Sequence, residues 1–416
     1  MVKHMSPPFA TAHAGLQRMG SGSSTCGTSN TLIKVCRDHK GGINWLSLSP
    51  DGCHLLTASE DCTARLWRTS DHQCCKLLQG HSSYITFCHL ENEAAFTCSA
   101  DHTVRKWEVS TGQCLTVYTG HTSIVNRILV VRNLLFSGSY DRSARCWDTD
   151  SGRPLQEFQG HRNCILVLTH FSSSDILEEL DIEGNEMKEF LVTGSTDCTV
   201  KIWEAFSGCC YQTLRGHLGA ILCIVLDTPN RELFSGSTDY TIRRWNMVTG
   251  DQLKVFRDHQ GSVICLQMVG RHLYSGSVDR TAKCWLSDTG ECSRTYKSHK
   301  HSISTLKYHD GVLFTGSGDA CARAFNTKSG TLHQVFQGHT FIINCIQIHN
   351  NVLYTASHDG TLRVWDIKGI CSQSKHHKKS SLRSRHSQKG SMPHIFHNKV
   401  GCSMEVNEDC EPVELT

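Results

Sequence analysis

A carboxylate, an imidazole and a hydroxyl occur near one another in the chain, and such groups could form an acid–base pair beside a nucleophile. In the segment SGSYDRSARCWD (residues 137–148), Asp141 lies four residues after Ser137 and six before Trp147. The preceding segment TGHTSIVN supplies His121. Two interpretations are open at this point: Asp141 and His121 transfer protons in a reaction, or they hold part of the structure together.

The same combination recurs eight times, and this repetition favours the structural interpretation. Each unit has a histidine, a Ser or Thr hydroxyl, an aspartate four residues after the hydroxyl, and an aromatic residue six after the aspartate. The aromatic residues are 40 to 42 positions apart, except for 56 between Trp147 and Trp203. The eight sets are His39, Thr57, Asp61, Trp67; His81, Thr97, Asp101, Trp107; His121, Ser137, Asp141, Trp147; His161, Thr193, Asp197, Trp203; His217, Ser235, Asp239, Trp245; His259, Ser275, Asp279, Trp285; His299, Thr315, Asp319, Phe325; and His339, Thr355, Asp359, Trp365. A catalytic pair is needed once, so eight copies indicate an architectural repeat.

One period of the repeat has the pattern of four short β-strands. In the second unit the β-branched and aromatic runs are YITFCHL (84–90), AAFTCSA (94–100), TVRKWEV (103–109) and CLTVYTG (114–120). Turn residues such as Asp101-His102 and Thr111-Gly112 separate them. One such small sheet cannot bury both of its faces, so the sheets must stack on copies of themselves.

These motifs resemble the WD-repeat signature of β-propellers: Gly-His, then Ser/Thr-x-Ser-x-Asp, then Trp six residues on. The resemblance covers roughly residues 31–370, with eight near-complete matches. It implies an all-β, eight-bladed WD-repeat β-propeller, or seven blades if one unit fails to form a blade. It also implies that each histidine lies in the turn entering the first strand of a blade, and each aspartate in the turn between the second and third strands.

The resemblance further implies that each set of four side chains forms a buried hydrogen-bond network. The indole donates to the hydroxyl, the hydroxyl to the imidazole, and the imidazole to the carboxylate, so no donor is left without a partner. Phe325 departs from the pattern, and we expect its blade to be the weakest by about 1 kcal/mol because an indole donor is missing. A cation two residues before each aromatic residue follows the family consensus and is interpreted as blade structure: Arg65, Arg105, Arg145, Lys201, Arg243, Lys283, Arg323 and Arg363.

The sequence divides into three parts around the repeats. Residues 1–30 are a Gly/Ser-containing segment that we expect to be disordered, and residues 371–416 are a tail, first basic and then acidic, with too few apolar residues to fold. Residues 31–36 (TLIKVC) have the pattern of a fourth strand without the first three, so we expect them to complete the last blade and close the ring. Residues 172–189 are an acidic insert between the first and second strands of the fourth unit, either a solvated excursion or a docking site for a basic partner.

Composition limits the function classes. Lys and Arg number 42 against 39 Asp and Glu, which argues against a polyanion-binding protein, although the tail segment KHHKKSSLRSRHSQK could serve nuclear localisation. The chain has no apolar run long enough to span a membrane, and its N-terminus lacks the apolar core of a secretory signal. We therefore expect a cytoplasmic or nuclear monomer whose 23 cysteines stay reduced. We expect no cofactor and no metal, since His394, His397 and Cys402 make only half a metal site.

One short segment could change the membrane interpretation. Residues 19–24, MGSGSS, fit the N-myristoylation pattern, with Cys26 placed for a second acyl chain. Gly20 would be acylated only if translation started at Met19, and the alternative is a plain Gly/Ser linker. We expect membrane contact only in the acylated case.

The resemblance implies a non-enzymatic scaffold or adaptor that binds other proteins. Residues beside the His and Asp turns are the candidates for contact, and the aromatic and arginine side chains Tyr84, Tyr140 and Arg162 are the sharpest of them. The full set is Lys40, Tyr84, Tyr140, Arg162, Thr196, Lys300, Thr340 and His358. An alternative is the substrate-recognition subunit of a ubiquitin-ligase-type complex, and a weaker one is a propeller hydrolase; neither a small-molecule substrate nor a nucleic acid is expected.

Overall fold

The computed structural model describes residues 31–173 and 188–371, which form 32 β-strands in eight four-stranded antiparallel sheets. In chain order the strands are β1 (Leu32–Cys36), β2 (Ile43–Leu48), β3 (His54–Ser59), β4 (Thr63–Arg68), β5 (Cys74–Gln79), β6 (Ile85–Leu90), β7 (Ala94–Ser99), β8 (Val104–Glu108), β9 (Cys114–Tyr118), β10 (Val125–Val131), β11 (Leu134–Ser139), β12 (Ala144–Asp148), β13 (Pro154–Phe158), β14 (Ile165–Ser172), β15 (Glu189–Ser195), β16 (Val200–Glu204), β17 (Cys210–Leu214), β18 (Ile221–Asp227), β19 (Glu232–Ser237), β20 (Thr241–Asn246), β21 (Gln252–Arg257), β22 (Val263–Val269), β23 (His272–Ser277), β24 (Thr281–Leu286), β25 (Cys292–Lys297), β26 (Ile303–His309), β27 (Val312–Ser317), β28 (Cys321–Asn326), β29 (Leu332–Gln337), β30 (Ile343–His349), β31 (Val352–Ser357) and β32 (Leu362–Asp366).

Each sheet is one blade of a propeller, and the prediction of eight blades is confirmed. Blades 1 to 7 each consist of four consecutive strands, beginning with β2–β5 and ending with β26–β29. The first strand of every blade contacts the first strand of the next, and β30 contacts β2, so these strands form the inner wall of a closed ring.

Blade 8 is built from both ends of the described chain. Strands β30, β31 and β32 are followed in the sheet by β1, which pairs antiparallel with β32 so that Leu32 faces Trp365 and Cys36 faces Leu362. On the inner wall, Asn344 Nδ2 donates to the Ile43 carbonyl at 2.9 Å, across the junction between blades 8 and 1. The ring therefore closes through strand pairing, and this leaves no first or last sheet with an unpaired face.

The core lies between blades rather than within one of them. For example, Phe96 and Tyr118 of blade 2 form one buried cluster with Ile128 and Trp147 of blade 3. Leu362 of blade 8 likewise joins a cluster with residues of blade 1. Since both faces of a small sheet are apolar, each blade is stabilised by burying its faces against two neighbours.

Two predicted boundaries differ from the structure. Ser172 and Glu189, which the sequence pattern assigns to the acidic insert, pair with each other in β14 and β15. Glu189 is buried, and its carboxylate contacts Arg132 at 2.8 Å and His170 at 2.7 Å. Arg132 comes from the neighbouring blade, and its positive charge compensates the buried negative charge at the end of β15. Residue 371, assigned to the tail, ends a helical turn at 368–371, and its cysteine side chain packs into the core cluster of blades 7 and 8.

Several predictions concern residues that lie outside the described ranges. These are the N-terminal segment with Gly20 and Cys26, most of the acidic insert (174–187), and the tail from residue 372 with His394, His397 and Cys402. Within the described ranges, no helix has the length and apolarity that crossing a membrane would need. The same ranges contain no group of three or more His, Cys, Asp or Glu side chains suited to a metal ion.

Candidate functional site

The eight predicted sets of side chains converge on one face of the propeller. In blade 3, His121 Nδ1 lies 2.7 Å from Asp141 Oδ2, and His121 Nε2 lies 2.8 Å from Ser137 Oγ. Trp147 Nε1 donates to the same Ser137 oxygen at 2.9 Å. A carboxylate can only accept, so Nδ1 carries the imidazole proton and Nε2 accepts from the hydroxyl. This is the chain of donors that the sequence pattern predicts.

Seven blades have this network with nearly identical geometry. The histidine–aspartate distances are 2.6 to 2.9 Å, the histidine–hydroxyl distances 2.7 to 2.8 Å and the indole–hydroxyl distances 2.8 to 3.0 Å. Every one of the hydroxyl-bearing residues is fully buried, at 0% exposure. Each of these hydroxyls is buried and already bonded on both sides, so the networks hold the blades together.

The aspartate shapes the turns that form the face. Asp141 Oδ1 accepts from the backbone amide of Ser143 at 2.9 Å and from its hydroxyl at 2.6 Å. This side-chain-to-backbone bond stabilises the turn in which Arg142 adopts a φ of 74°, a left-handed conformation that is unfavourable for most residues. The other oxygen, Oδ2, accepts from His121 and from the backbone amide of Thr122 at 3.0 Å. The Asp141 carboxylate therefore stabilises two turns, the one that follows His121 and the one between the second and third strands of the blade.

The networks keep the aspartates ionised. Burial by itself would raise the pKa of the Asp141 carboxyl, but hydrogen bonds from His121 and Ser143 outweigh it and hold that pKa well below its usual range. The pKa of each of the other seven aspartates is lowered in the same way.

Blade 7 departs from this pattern at two positions. Phe325 is buried but has no donor for the Thr315 hydroxyl, and Cys321 stands where the other blades have a Thr or Ser that donates to the aspartate. Here Arg323 turns into the network: its Nη1 donates to Asp319 Oδ2 at 2.7 Å and also contacts His299 Nδ1. His299 Nδ1 is 3.1 Å from both Asp319 oxygens, a longer distance than in the other blades. Arg323 thus donates to the Asp319 carboxylate in place of the hydroxyl that is missing at Cys321.

The residue that follows each histidine is held in a fixed position. Its backbone amide donates to the aspartate Oδ2 at 2.8 to 3.1 Å, and the eight residues are Lys40, Ser82, Thr122, Arg162, Leu218, Gln260, Lys300 and Thr340. We call the face that carries these turns and the aspartate turns the turn face. Its side chains project from a backbone that is bonded at both turns, so a partner would meet a preorganised surface.

The eight predicted contact residues all lie on the turn face, with different exposure. Lys40, Arg162, Lys300, Thr340 and His358 are exposed, whereas Tyr84, Tyr140 and Thr196 are half-buried. Burial raises the pKa of Tyr140 to about 12, so its hydroxyl stays a donor at physiological pH.

The structure adds apolar residues that the sequence interpretation missed. Leu218 is 88% exposed, Phe341 57%, Tyr240 50% and Val278 46%, and all four lie in turns of the turn face. Leu218 could have been found from the sequence, because it occupies the position after the histidine that is polar in the other seven units. Leu218, Tyr240 and Val278 lie in turns of the adjacent blades 5 and 6, and together they add exposed apolar surface to this face, as interaction sites do.

Two neighbourhoods on the turn face combine these apolar residues with charge. Across blades 8 and 1, the rings of Phe341 and His358 lie 6.2 Å apart, and His358 Nδ1 is 3.6 Å from Glu60 Oε1. Across blades 5 and 6, two adjoining open depressions are rimmed by apolar Tyr240 and Val278 and contain more basic than acidic side chains. Their charged residues are Asp239, Arg257, Asp258, Asp279, Arg280, Lys283 and Lys297.

Comparison with known families supports the assignment of the repeats. The family model described as "WD domain, G-beta repeat" matches residues 30–68, 72–108, 112–148, 152–204, 208–246, 250–285 and 330–366, which is more than half of the chain. The chain belongs to the WD-repeat family. The matches omit residues 286–329, which include the first three strands of blade 7, where Phe325 and Cys321 depart from the repeat. WD-repeat propellers are generally non-enzymatic scaffolds that bind other proteins.

This WD-repeat chain also resembles individual proteins. WD repeat-containing protein 86 of Homo sapiens is 73% identical over 208 residues, which cover 50% of this chain and 55% of that protein. The chain therefore spans about half the length of the curated relative that it matches. The crystal structure of the computationally designed Ika8 protein superposes with a TM-score of 0.70 at 26% sequence identity, covering 79% of this chain and 97% of that one.

Proposed function

We propose that the protein is a non-enzymatic interaction scaffold whose turn face binds partner proteins. The observation that carries the proposal is the exposure of Leu218. The residue is 88% exposed, and its backbone amide donates to Asp239 Oδ2 at 2.9 Å. An apolar side chain on a backbone that is already fixed costs little backbone entropy on binding and gains the burial of its surface. It therefore has the properties of an interface anchor.

The chemistry around Leu218 suggests the kind of partner. Tyr240 and Val278 add exposed apolar surface on the same side of the ring, and Arg257, Arg280 and Lys297 add positive charge. A partner segment with apolar side chains flanked by carboxylates would complement both features. Phe341, with His358, offers a second anchor three blades further around the ring, beside blades 8 and 1.

A matched pair of phenylalanines allows a direct test. Phe341 is 57% exposed on the turn face, whereas Phe206 is 61% exposed in the turn between β16 and β17, on the opposite face. Proximity labelling would be compared for the wild type, Leu218→Ser, Phe341→Ser and the control Phe206→Ser. We expect the two turn-face variants to lose specific partners, with a loss of affinity of about 30-fold where the side chain is a hot spot. We expect Phe206→Ser to keep those partners.

The same experiment covers the residues that the sequence singled out. A combined Tyr84→Ala, Tyr140→Ala and Arg162→Ala variant should weaken partner binding, since these side chains lie on the turn face. Because Tyr84 and Tyr140 are half-buried, the variant should also melt at a somewhat lower temperature, so binding is compared at a temperature at which both proteins are folded. Unchanged partner lists in this variant and in the two turn-face variants would reject this face as the binding surface. Recovery of a ubiquitin-ligase subunit among the turn-face partners would define the scaffold as a substrate-recognition subunit. We also propose that the scaffold acts as a monomer in the cytoplasm or nucleus, which light scattering and imaging of the tagged protein would test.

A further inference from the structure

Three thiols on the outer strands lie against positively charged side chains. In blades 1, 2 and 4 a cysteine of the fourth strand pairs with the tryptophan of the third: Cys74 with Trp67, Cys114 with Trp107 and Cys210 with Trp203. The cation two residues before each tryptophan reaches the sulfur. Arg65 Nη1 is 3.7 Å from Cys74 Sγ, Arg105 Nη1 is 3.8 Å from Cys114 Sγ, and Lys201 Nζ is 3.8 Å from Cys210 Sγ.

The other blades indicate what the cation requires at this position. In blade 5, Gln252 has the same pairing with the tryptophan, and its side-chain oxygen accepts from Arg243. In blade 3, where Pro154 takes the cysteine position, Arg145 donates to the Glu157 carboxylate at 2.8 Å. Oxygen acceptors thus satisfy the cation in these blades. Sulfur takes that place in blades 1 and 2, and in blade 4 Lys201 Nζ contacts both Cys210 Sγ and the Thr213 hydroxyl, the latter at 2.9 Å. A thiolate is an anion and a better acceptor than a thiol, so the adjacent cation favours the deprotonated, nucleophilic form.

Reactivity also requires access from solvent. Cys114 and Cys210 are exposed, and Cys74 is half-buried. We propose that Cys114 and Cys210, and more slowly Cys74, are sites of reversible S-thiolation by low-molecular-weight disulfides such as glutathione disulfide.

The reaction is a thiol–disulfide exchange, with the small disulfide as oxidant. The cysteine thiol first loses its proton to solvent, and the thiolate then attacks one sulfur of R–S–S–R. A bond forms between the cysteine sulfur and the attacked sulfur, the S–S bond of the small disulfide breaks, and R–S⁻ leaves with the electron pair. The carboxylates of glutathione would also be attracted to the same guanidinium or ammonium group.

The chain contains its own control thiols. Cys292 of blade 6 has the same pairing, with Trp285, but its cation Lys283 is paired with the Asp258 carboxylate. Cys53 is exposed but lies beside Asp51, which raises the pKa of that thiol through a hydrogen bond and its negative charge. Exposure alone therefore predicts fast modification of Cys53, whereas the thiol–cation pairing predicts slow modification.

The test uses the reduced full-length chain and limiting iodoacetamide at pH 7, with labelling of each cysteine followed by mass spectrometry. Cys114 and Cys210 should react several-fold faster than Cys53 and Cys292, because the nearby cation stabilises the thiolate that attacks the reagent. In glutathione disulfide, mixed disulfides should form first at Cys114 and Cys210 and be reversed by dithiothreitol.

Variants of Arg105 distinguish the effect of the cation on Cys114 from the effect of solvent exposure. Arg105→Gln should slow Cys114 several-fold, Arg105→Lys should keep most of the rate, and Cys210 in the same sample should be unaffected, which verifies that the propeller is folded. The proposal is overturned if Cys114 and Cys210 react no faster than Cys53, or if Arg105→Gln leaves the Cys114 rate unchanged.

Discussion

The Arg323 guanidinium donates to Asp319 Oδ2 at 2.7 Å, inside the hydrogen-bond network of the blade that has phenylalanine instead of tryptophan. In blade 1 the equivalent Arg65 reaches Cys74, and its Asp61 receives a hydroxyl bond from Thr63 at 2.6 Å. The arginine at this position of the repeat thus stabilises the Asp319 carboxylate in blade 7, whereas in blade 1 it contacts the Cys74 thiol. This difference leads to the first prediction.

Arg323→Met should destabilise the protein more than Arg65→Met. Loss of Arg323 removes a charged donor from a buried carboxylate, which costs about 1.5–3 kcal/mol of unfolding free energy, whereas loss of Arg65 should cost less than about 1 kcal/mol. Denaturant unfolding of the two variants measures the difference. Equal destabilisation would mean that Arg323 contributes nothing beyond what its equivalent contributes elsewhere.

Blade 7 should be the least stable blade in spite of Arg323. The Thr315 hydroxyl lacks the indole donor that Ser275 receives from Trp285 at 2.8 Å in blade 6. Hydrogen exchange should therefore be faster in β26–β28 than in β22–β24, corresponding to a difference of about 1 kcal/mol. Trp147→Phe should raise the exchange of blade 3 in the same way. Slower exchange in blade 7 than in its neighbours would contradict this prediction.

Ring closure should depend on β1. Deleting residues 31–36 removes the strand that pairs with β32 between Leu362 and Trp365, and leaves that strand as an apolar edge. We expect the shortened protein to be insoluble, because an unpaired hydrophobic edge promotes aggregation. Solubility and thermal melting are the measurements, and Ile33→Ser, at an exposed position of β1, is the control that should stay soluble. A soluble deletion variant with a cooperative transition would show that closure needs no fourth strand.

Stability should decrease at acidic pH in two stages. The folded state lowers the pKa of His299 and His339 by burial, although Asp319 and Asp359 oppose the effect, so it favours the neutral imidazoles. Their contribution is complete above the unfolded-state pKa of about 6.5 and is lost as the pH falls below it.

The second stage comes from the eight aspartates. Because their pKa values are lowered in the folded state, their contribution is complete above the unfolded-state pKa of about 3.9 and is lost as the pH falls further. The melting temperature should thus decline slowly below pH 6.5 and steeply below pH 4. A melting temperature that rises between pH 6.5 and 5 would contradict the assignment for the histidines.

Much of the fold follows from the spacing of residues within one period. The strands of the second unit lie within one or two residues of their predicted bounds, at Ile85–Leu90, Ala94–Ser99, Val104–Glu108 and Cys114–Tyr118. The network of His121, Ser137, Asp141 and Trp147 is also expected from the resemblance to WD repeats, and its hydroxyl, aspartate and tryptophan keep the same spacing in every copy that has them.

The tertiary structure alone decided the partners at positions where the copies differ. Arg132 binds Glu189 from 57 residues away, Arg323 replaces a missing hydroxyl, and Arg105 lies against a thiol on the adjacent strand. A repeat places equivalent backbone positions alike, but a long charged side chain chooses among acceptors that neighbouring strands and blades supply. That choice depends on distances across the fold, which sequence spacing does not contain.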